Sequence, residues 1–226
     1  MTFNAHILTL FPDMYPGPLG HSITGRALEK NLWSLHAHDI RDHATDNHKT
    51  VDDIPYGGGA GMLMKPDVVA ASIRQARQQA PQGSPVVYLT PGGEVFNQNM
   101  ARDFAALPGL ILLCGHYEGI DQRVIDTDVD RQISLGNFVL TGGEIATFTV
   151  LDAVVRLLPD VLGSNASLHE ESFDILDEDG TPLVEYPHYT RPAEWEGLAV
   201  PEVLRSGHHE NIRQWRLDQA KKRTRK

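Results

Sequence analysis

A chain of 226 residues, 41% hydrophobic and 22% charged, is long enough for one full-sized domain and a smaller one, and its composition is that of a globular protein. No apolar run approaches the length of a membrane span, the opening MTFNAHILTLFPDMYPG lacks the basic leader of a signal peptide, and the single cysteine, Cys114, excludes a disulfide framework or thiolate metal cluster. The cytoplasm is therefore the default, the Asn165-Ala166-Ser167 sequon is a coincidence, and a net charge of −10 argues against a general nucleic-acid binder.

Residues 6–11 read as a first strand stopped by Pro12, and Pro16-Gly17-Pro18 forbids regular structure after it. Residues 22–31 suit a helix with Thr24 as its cap, and 33–40 a second strand. The polar segment 41–64 has almost no periodicity, and a loop of that length inside a domain is usually functional or disordered. Its His43, Asp46, His48, Asp52 and Asp53 match no metal-ligand spacing, so a metal site is not expected. Its Tyr56-Gly57-Gly58-Gly59-Ala60-Gly61-Met62 lacks the Gly-Lys-Ser/Thr of a phosphate-binding P-loop, which leaves a glycine loop able to lie against a substrate.

A helix follows over 66–79, then an apolar run at 86–89 ending in Thr90-Pro91-Gly92-Gly93, and a helix over 97–106. The unbroken run Leu110-Ile111-Leu112-Leu113-Cys114 stops at Gly115, residues 120–125 have helical spacing, and a strand over 133–140 stops at Thr141-Gly142-Gly143. Short apolar runs ending abruptly in glycine are the mark of strands buried in a parallel sheet. Ligands in such sheets sit beyond the carboxyl ends of the strands, where glycine lets backbone come close. The three glycine loops are therefore expected to form one pocket.

Residues 144–158 form an apolar helix stopped by Pro159, with Arg156 its late charge, either a snorkelling surface arginine or a guanidinium aimed at the pocket. Residues 163–185 concentrate acid and serine and read as a linker, although Leu168 to Phe173 mixes apolar and ionisable groups. From Tyr186 a small unit anchored by Tyr189 and Trp195 ends in a helix carrying Ile212, Trp215 and Leu217, which Ser206 could cap. Two domains joined by a linker follow, at 1–162, 163–186 and 187–226. The helix ends in a basic cluster, Lys221, Lys222, Arg223, Arg225 and Lys226, which is either a solvated end or a face for a polyanion.

The pocket has neither GxGxxG nor GxSxG, so dinucleotide binding and acyl transfer both lack their motif. A backbone-lined nucleotide pocket suits S-adenosylmethionine, with Glu118 a nearby negative charge for the sulfonium.

In motif content the chain resembles the bacterial tRNA (guanine-N1)-methyltransferase family, TrmD, of the SPOUT superfamily, over nearly its full length. The matching segments, in order, are Leu10-Phe11-Pro12, Thr24-Gly25-Arg26-Ala27, Arg41-Asp42, Thr50-Val51-Asp52-Asp53, the glycine loop through Met64, Tyr117-Glu118-Gly119-Ile120-Asp121, Val139-Leu140-Thr141-Gly142-Gly143-Glu144 and Pro187-His188-Tyr189-Thr190-Arg191-Pro192. The resemblance implies an α/β fold whose parallel-sheet domain holds a deep trefoil knot, an exception to un-knotted topology, with a small, mainly helical, tRNA-binding C-terminal domain. It implies a homodimer with active sites at the subunit interface. The implied reaction is methyl transfer from S-adenosylmethionine, assisted by Mg2+, to N1 of the guanosine 3′ of the anticodon (position 37) when a guanosine precedes it.

Carried over by motif, the cofactor would be held by Leu89, Thr90, Pro91 and Gly92, by Gly115, Tyr117, Glu118 and Gly119, and by Ile133, Leu135, Gly136, Asn137, Phe138, Val139, Leu140, Thr141, Gly142 and Gly143. Asp52, Tyr56, Gly57, Gly58, Gly59, Gly61 and Met62 would face the RNA. Arg156 falls on the family's catalytic arginine, and Glu171 stands where the family carries an aspartate as general base. His116 replaces a common arginine, Ala60 a proline and Asn137 an aspartate, and the basic C-terminus stops early. A ribose 2′-O-methyltransferase of the same superfamily would leave Glu171 and the glycine loop idle, and a non-catalytic RNA-binding module would retain only the pocket.

Overall fold

The computed structural model describes residues 2–162 and 171–224, so the sequon and the first half of the segment Leu168 to Phe173 lie outside the described residues. The chain divides into two compact units, 1–162 and 163–226. Among the described residues no helix is long and apolar enough to cross a membrane.

In the first unit, β1 (Phe3–Thr9) leads through two short 3-10 turns to α1 (Ser22–Glu29) and β2 (Trp33–Asp39). Thr24 is not the cap of α1: it lies inside the helix, donating its hydroxyl to the His21 carbonyl at 3.1 Å, and His21 holds the cap position. The long polar segment carries a short antiparallel pair, β3 (Asp52–Asp53) and β4 (Leu63–Met64), which brackets the glycine loop. Then come α2 (Pro66–Gln79), β5 (Val86–Val95), α3 (Gln98–Ala105), β6 (Gly109–Cys114), α4 (Gln122–Asp128), β7 (Arg131–Ser134) and α5 (Glu144–Val155). Pro66 opens α2, where its missing N–H is no loss, and the Asn97 side chain accepts from the Met100 amide at 3.0 Å to cap α3.

Five strands make one wholly parallel sheet in the order β2-β1-β6-β5-β7. Alternation along each strand sorts the core into two layers. Ile7, Leu112, Val87 and Leu89 face α3 and α5, packing with Phe104, Val150 and Leu151. Leu8, Ile111, Leu113 and Val86 face α2 and α4, packing with Val69, Ile73 and Val124. All six residues of β6 are buried, which is why its sequence is uninterruptedly apolar.

Two strands end differently from the sequence expectation. β5 runs on to Val95, but residues 90–93 bulge out: Leu89 pairs with Ile133, and so does Glu94. β7 stops at Ser134, because Gly136 takes φ +142° and the Ser134 hydroxyl bonds the Gly136 amide at 3.1 Å. The apolar stretch 138–140 is exposed loop, not buried strand.

In the second unit, residues 171–186 are bonded to each other and to its terminal helix. The Phe173 amide donates to the Leu183 carbonyl at 2.7 Å, and the Asp177 carboxylate accepts from the amides of Asp179 and Thr181. Further on are a hairpin, β8 (Glu194–Trp195) with β9 (Leu198–Ala199), then α6 (Glu202–Arg205) and α7 (His209–Thr224). Glu196 and Gly197 both have positive φ, as a two-residue type I′ turn requires. Leu183, Tyr186 and Ala220 are buried, the Val184 amide donates to Thr224 Oγ1 at 2.8 Å, and the Arg216 guanidinium lies 4.7 Å over the Tyr186 ring. Lys221 pairs with Glu178, so the acidic segment and the basic helix end partly neutralise one another.

Candidate functional site

The sheet register brings the glycine loops together. Leu89 pairs with Cys114 on one side and Ile133 on the other, so the bulge in β5 opens at the level where β6 and β7 end. From that level open the loops 90–93, 115–119 and 135–143, and together they line a cavity of about 260 Å³. Of the expected cofactor residues all but Gly92 and Asn137 line it. Tyr88, His116, Ser134 and Ala146 line it as well. His116 lies within the expected loop 115–119, where it stood out as replacing a common arginine; the other three did not stand out, because Tyr88 and Ser134 lie within strands and Ala146 in the first turn of α5.

Glycine is required where backbone meets backbone. A Cβ on Gly143 would sit 2.6 Å from Cys114 Cα, and the Gly143 amide donates to the Gly115 carbonyl at 3.1 Å. The third loop therefore passes directly against the end of β6. Tyr117 holds φ +59° in the second loop, a conformation that side chains other than glycine adopt only where surrounding contacts enforce it.

Beneath the loops lies a buried polar chain. Glu144, 3% exposed in the first turn of α5, accepts from Thr9 Oγ1 at 2.6 Å and from His116 Nε2 at 2.8 and 3.0 Å. A carboxylate only accepts, so Nε2 carries the proton. Cys114 Sγ is 3.1 Å from Thr147 Oγ1, and Tyr15 OH lies 3.7 Å from the same sulfur. Burial, and secondarily the Glu144 charge, pushes the Cys114 thiol up to about 12, so this cysteine is a packed, unreactive group rather than a nucleophile.

The expected RNA-facing residues divide into two sets. Tyr56 is fully exposed, and Gly57, Gly58 and Gly59 all have positive φ with open space around them. Gly61 instead abuts the Glu118 side chain, and a Cβ there would lie 2.6 Å from Glu118 Cγ. The Met62 carbonyl accepts from the Glu118 amide at 2.9 Å, and the Met64 amide donates to the Gly119 carbonyl at 3.0 Å. The free loop is thus stitched at its exit to the second cavity loop. Burial first, and the Asp52 carboxylate second, raise the Tyr117 phenol above its usual range, which places Asp52 in the same electrostatic neighbourhood.

Arg156 is not among the residues that line this cavity. It caps the far end of α5, roughly 18 Å along the helix axis from Glu144. Glu171 is half-buried in the second unit, where its carbonyl accepts from the Asp174 amide at 3.1 Å.

A cavity lined by three loops at the carboxyl ends of parallel strands, with an exposed glycine loop adjacent, is the place and kind of site where an open α/β sheet binds its ligand. A family profile described as tRNA (guanine-1)-methyltransferase TrmD matches residues 1–226. The chain is 57% identical over 216 residues to a tRNA (guanine-N(1)-)-methyltransferase of Rhodospirillum rubrum, covering 96% of this chain and 87% of that protein. It is 56% identical over 218 residues to one of Chloroflexus aggregans, covering 96% and 83%, and 52% identical over 225 residues to one of Sphingopyxis alaskensis, covering 100% and 89%. The chain belongs to the tRNA (guanine-1)-methyltransferase TrmD family.

Proposed function

We propose that this protein is a cytoplasmic tRNA methyltransferase that transfers the methyl group of S-adenosylmethionine to N1 of guanosine 37, when a guanosine precedes it. The observation that carries the reading is the single cavity walled by three glycine-bearing loops ending in register. Those loops offer main-chain donors and acceptors to a nucleoside, and Glu118 sets a carboxylate on the wall, a charge that suits a cation. Bound there, the cofactor supplies an electrophilic methyl group. The passage of the third loop against the end of β6 supports the deep trefoil knot.

Neutral guanine carries a proton on N1, so that nitrogen becomes a nucleophile only when a base removes it. We assign that step to Glu171. Arg156 is assigned to the guanine carbonyl oxygen, where a guanidinium stabilises the negative charge that develops as N1 loses its proton. Because α5 carries Arg156 away from its own cavity, it would serve the site of the second subunit of a homodimer. The exposed apolar Phe138, Val139, Leu140 and Ile145 around the cavity mouth support such an interface. Asp52 and the loop 56–62 are assigned to the RNA around the target, and the C-terminal unit, whose last helical turn carries Lys221, Lys222 and Arg223, to the tRNA body. Magnesium would assist mainly through oxygens of the RNA and water, since this ion keeps several of its waters and takes few protein ligands.

The test is methylation of paired tRNA transcripts differing only at position 37 or at the preceding guanosine, with mass spectrometry locating the methyl group. Glu171→Ala should lose at least about 10²-fold in kcat while still binding S-adenosylmethionine. Methyl groups on a ribose oxygen, or near-normal turnover by the variant, would refute the assignment.

A further inference from the structure

The His116–Glu144–Thr9 chain has no task in the reaction as assigned, yet it joins three separate pieces of the site. Thr9 ends β1, His116 lies in the second cavity loop, and Glu144 opens α5 directly after the third loop. Both Glu144 oxygens lie within hydrogen-bond distance of His116 Nε2, and Oε1 also takes the Thr9 hydroxyl. The Thr9 oxygen in turn accepts from the Phe11 amide at 2.9 Å. The His116 ring packs edge-on against Phe11 at 5.1 Å, and its own amide lies 3.4 Å from Met64 Sδ. Gly142 closes against the pair: a Cβ there would strike the His116 ring and come 2.7 Å from Glu144 Oε2. Among the described residues, His116 is thus a cavity-lining side chain that bonds the second loop to the element beginning at the third.

We propose that His116 is a positioning residue for the methyl donor: acting through Glu144, it fixes the spacing of the second and third loops across the cavity. This rests on the reading that the cavity holds S-adenosylmethionine. A buried carboxylate deprived of its donor is left with an unmet bonding demand, and the loop that His116 tethers is then free to part from Gly142. The energy lost is binding energy for whatever lies between the loops, common to ground and transition states, so it shows in donor affinity and not in turnover at saturation. Arginine at this position can donate to both Glu144 oxygens through its planar fork and so re-form the tie.

The experiment compares wild type, His116→Ala, His116→Arg and the double variant His116→Ala/Glu144→Gln. Calorimetric titration with S-adenosylmethionine and S-adenosylhomocysteine, without RNA, is set beside steady-state kinetics on tRNA. His116→Ala should weaken binding of both and raise the donor KM by about tenfold, with kcat and the tRNA KM within about twofold of wild type. His116→Arg should regain most of the loss, and the double variant should bind no more weakly than His116→Ala, because both substitutions break one contact. The proposal is overturned if His116→Ala binds the donor as wild type does, if it lowers kcat at unchanged donor KM, or if arginine fails to restore binding. Wild type that binds neither nucleoside would instead remove the reading of the cavity itself, and this inference with it.

Discussion

His6 lies in the middle of β1 with its ring stacked on His36 at 4.7 Å and His38 at 5.2 Å, and its Nδ1 is 3.0 Å from His38 Nε2. It is 3% exposed. Burial first, then the neighbouring His36 and His38, lowers its pKa from 6.5 to about 4, and burial with His36 and His43 lowers that of His38 as well. A proton that the unfolded chain takes up near pH 6.5 is therefore refused by the folded chain until about pH 4. Stability is unaffected above that window and falls as pH drops through it. The loss saturates once both states are protonated. For His6 alone the loss between pH 7.5 and pH 5 is about 2 kcal/mol, with His38 adding in the same direction. Urea melts at the two pH values should show wild type losing that much more than His6→Asn, and parallel losses in the two proteins would mean that His6 titrates normally in the fold.

At the scale of elements, the bulge in β5 makes the sharpest demand on the sequence. A Cβ on Gly93 would collide with the backbone of β7, 2.5 Å from Gln132 C and 2.6 Å from Ile133 C, whereas one on Gly92 meets nothing within 4 Å. Backbone in a paired strand cannot yield as a side chain can, so Gly93→Ala should cost about 1–3 kcal/mol in urea unfolding and weaken donor binding. Gly92→Ala should be close to neutral; equal stabilities would show that β5 and β7 do not pair across the bulge as described. The same elements show how far the sequence could be read. The runs 86–89 and 110–114 were legible as strands, because residues buried on both faces of a sheet must all be apolar. The run over 138–140 carries the same composition for a different reason: it is exposed at the cavity mouth, and composition alone does not separate the two. The glycine-ended loops gave most of the cavity lining. The His116–Glu144 tie was invisible, since it joins residues 28 apart that only the register of the sheet brings together.

For the whole molecule the open question is which surfaces complete the site. The cavity lies at the start of α5, whereas Arg156 caps the other end of that helix, roughly 18 Å away along its axis. Around the mouth, Val139 is 84% and Ile145 51% exposed, an unusual placement for large apolar side chains flanking a loop held this closely. A two-fold pair burying this patch would answer both observations, and closed two-fold symmetry is the commonest arrangement for oligomers of one chain. It predicts complementation. Gly142→Val should close the cavity by driving a side chain into His116 and Glu144, and Arg156→Ala should remove the guanidinium, so either protein alone should be nearly inactive. Co-expressed in equal amounts, the two form mixed dimers in half of all pairs. Each mixed dimer holds one intact cavity facing one intact Arg156. Activity on tRNA should then recover to about a quarter of wild type, half the dimers each with one of two sites working. A mixture no more active than the mean of its parents would place cavity and arginine on the same chain and end the shared-site arrangement.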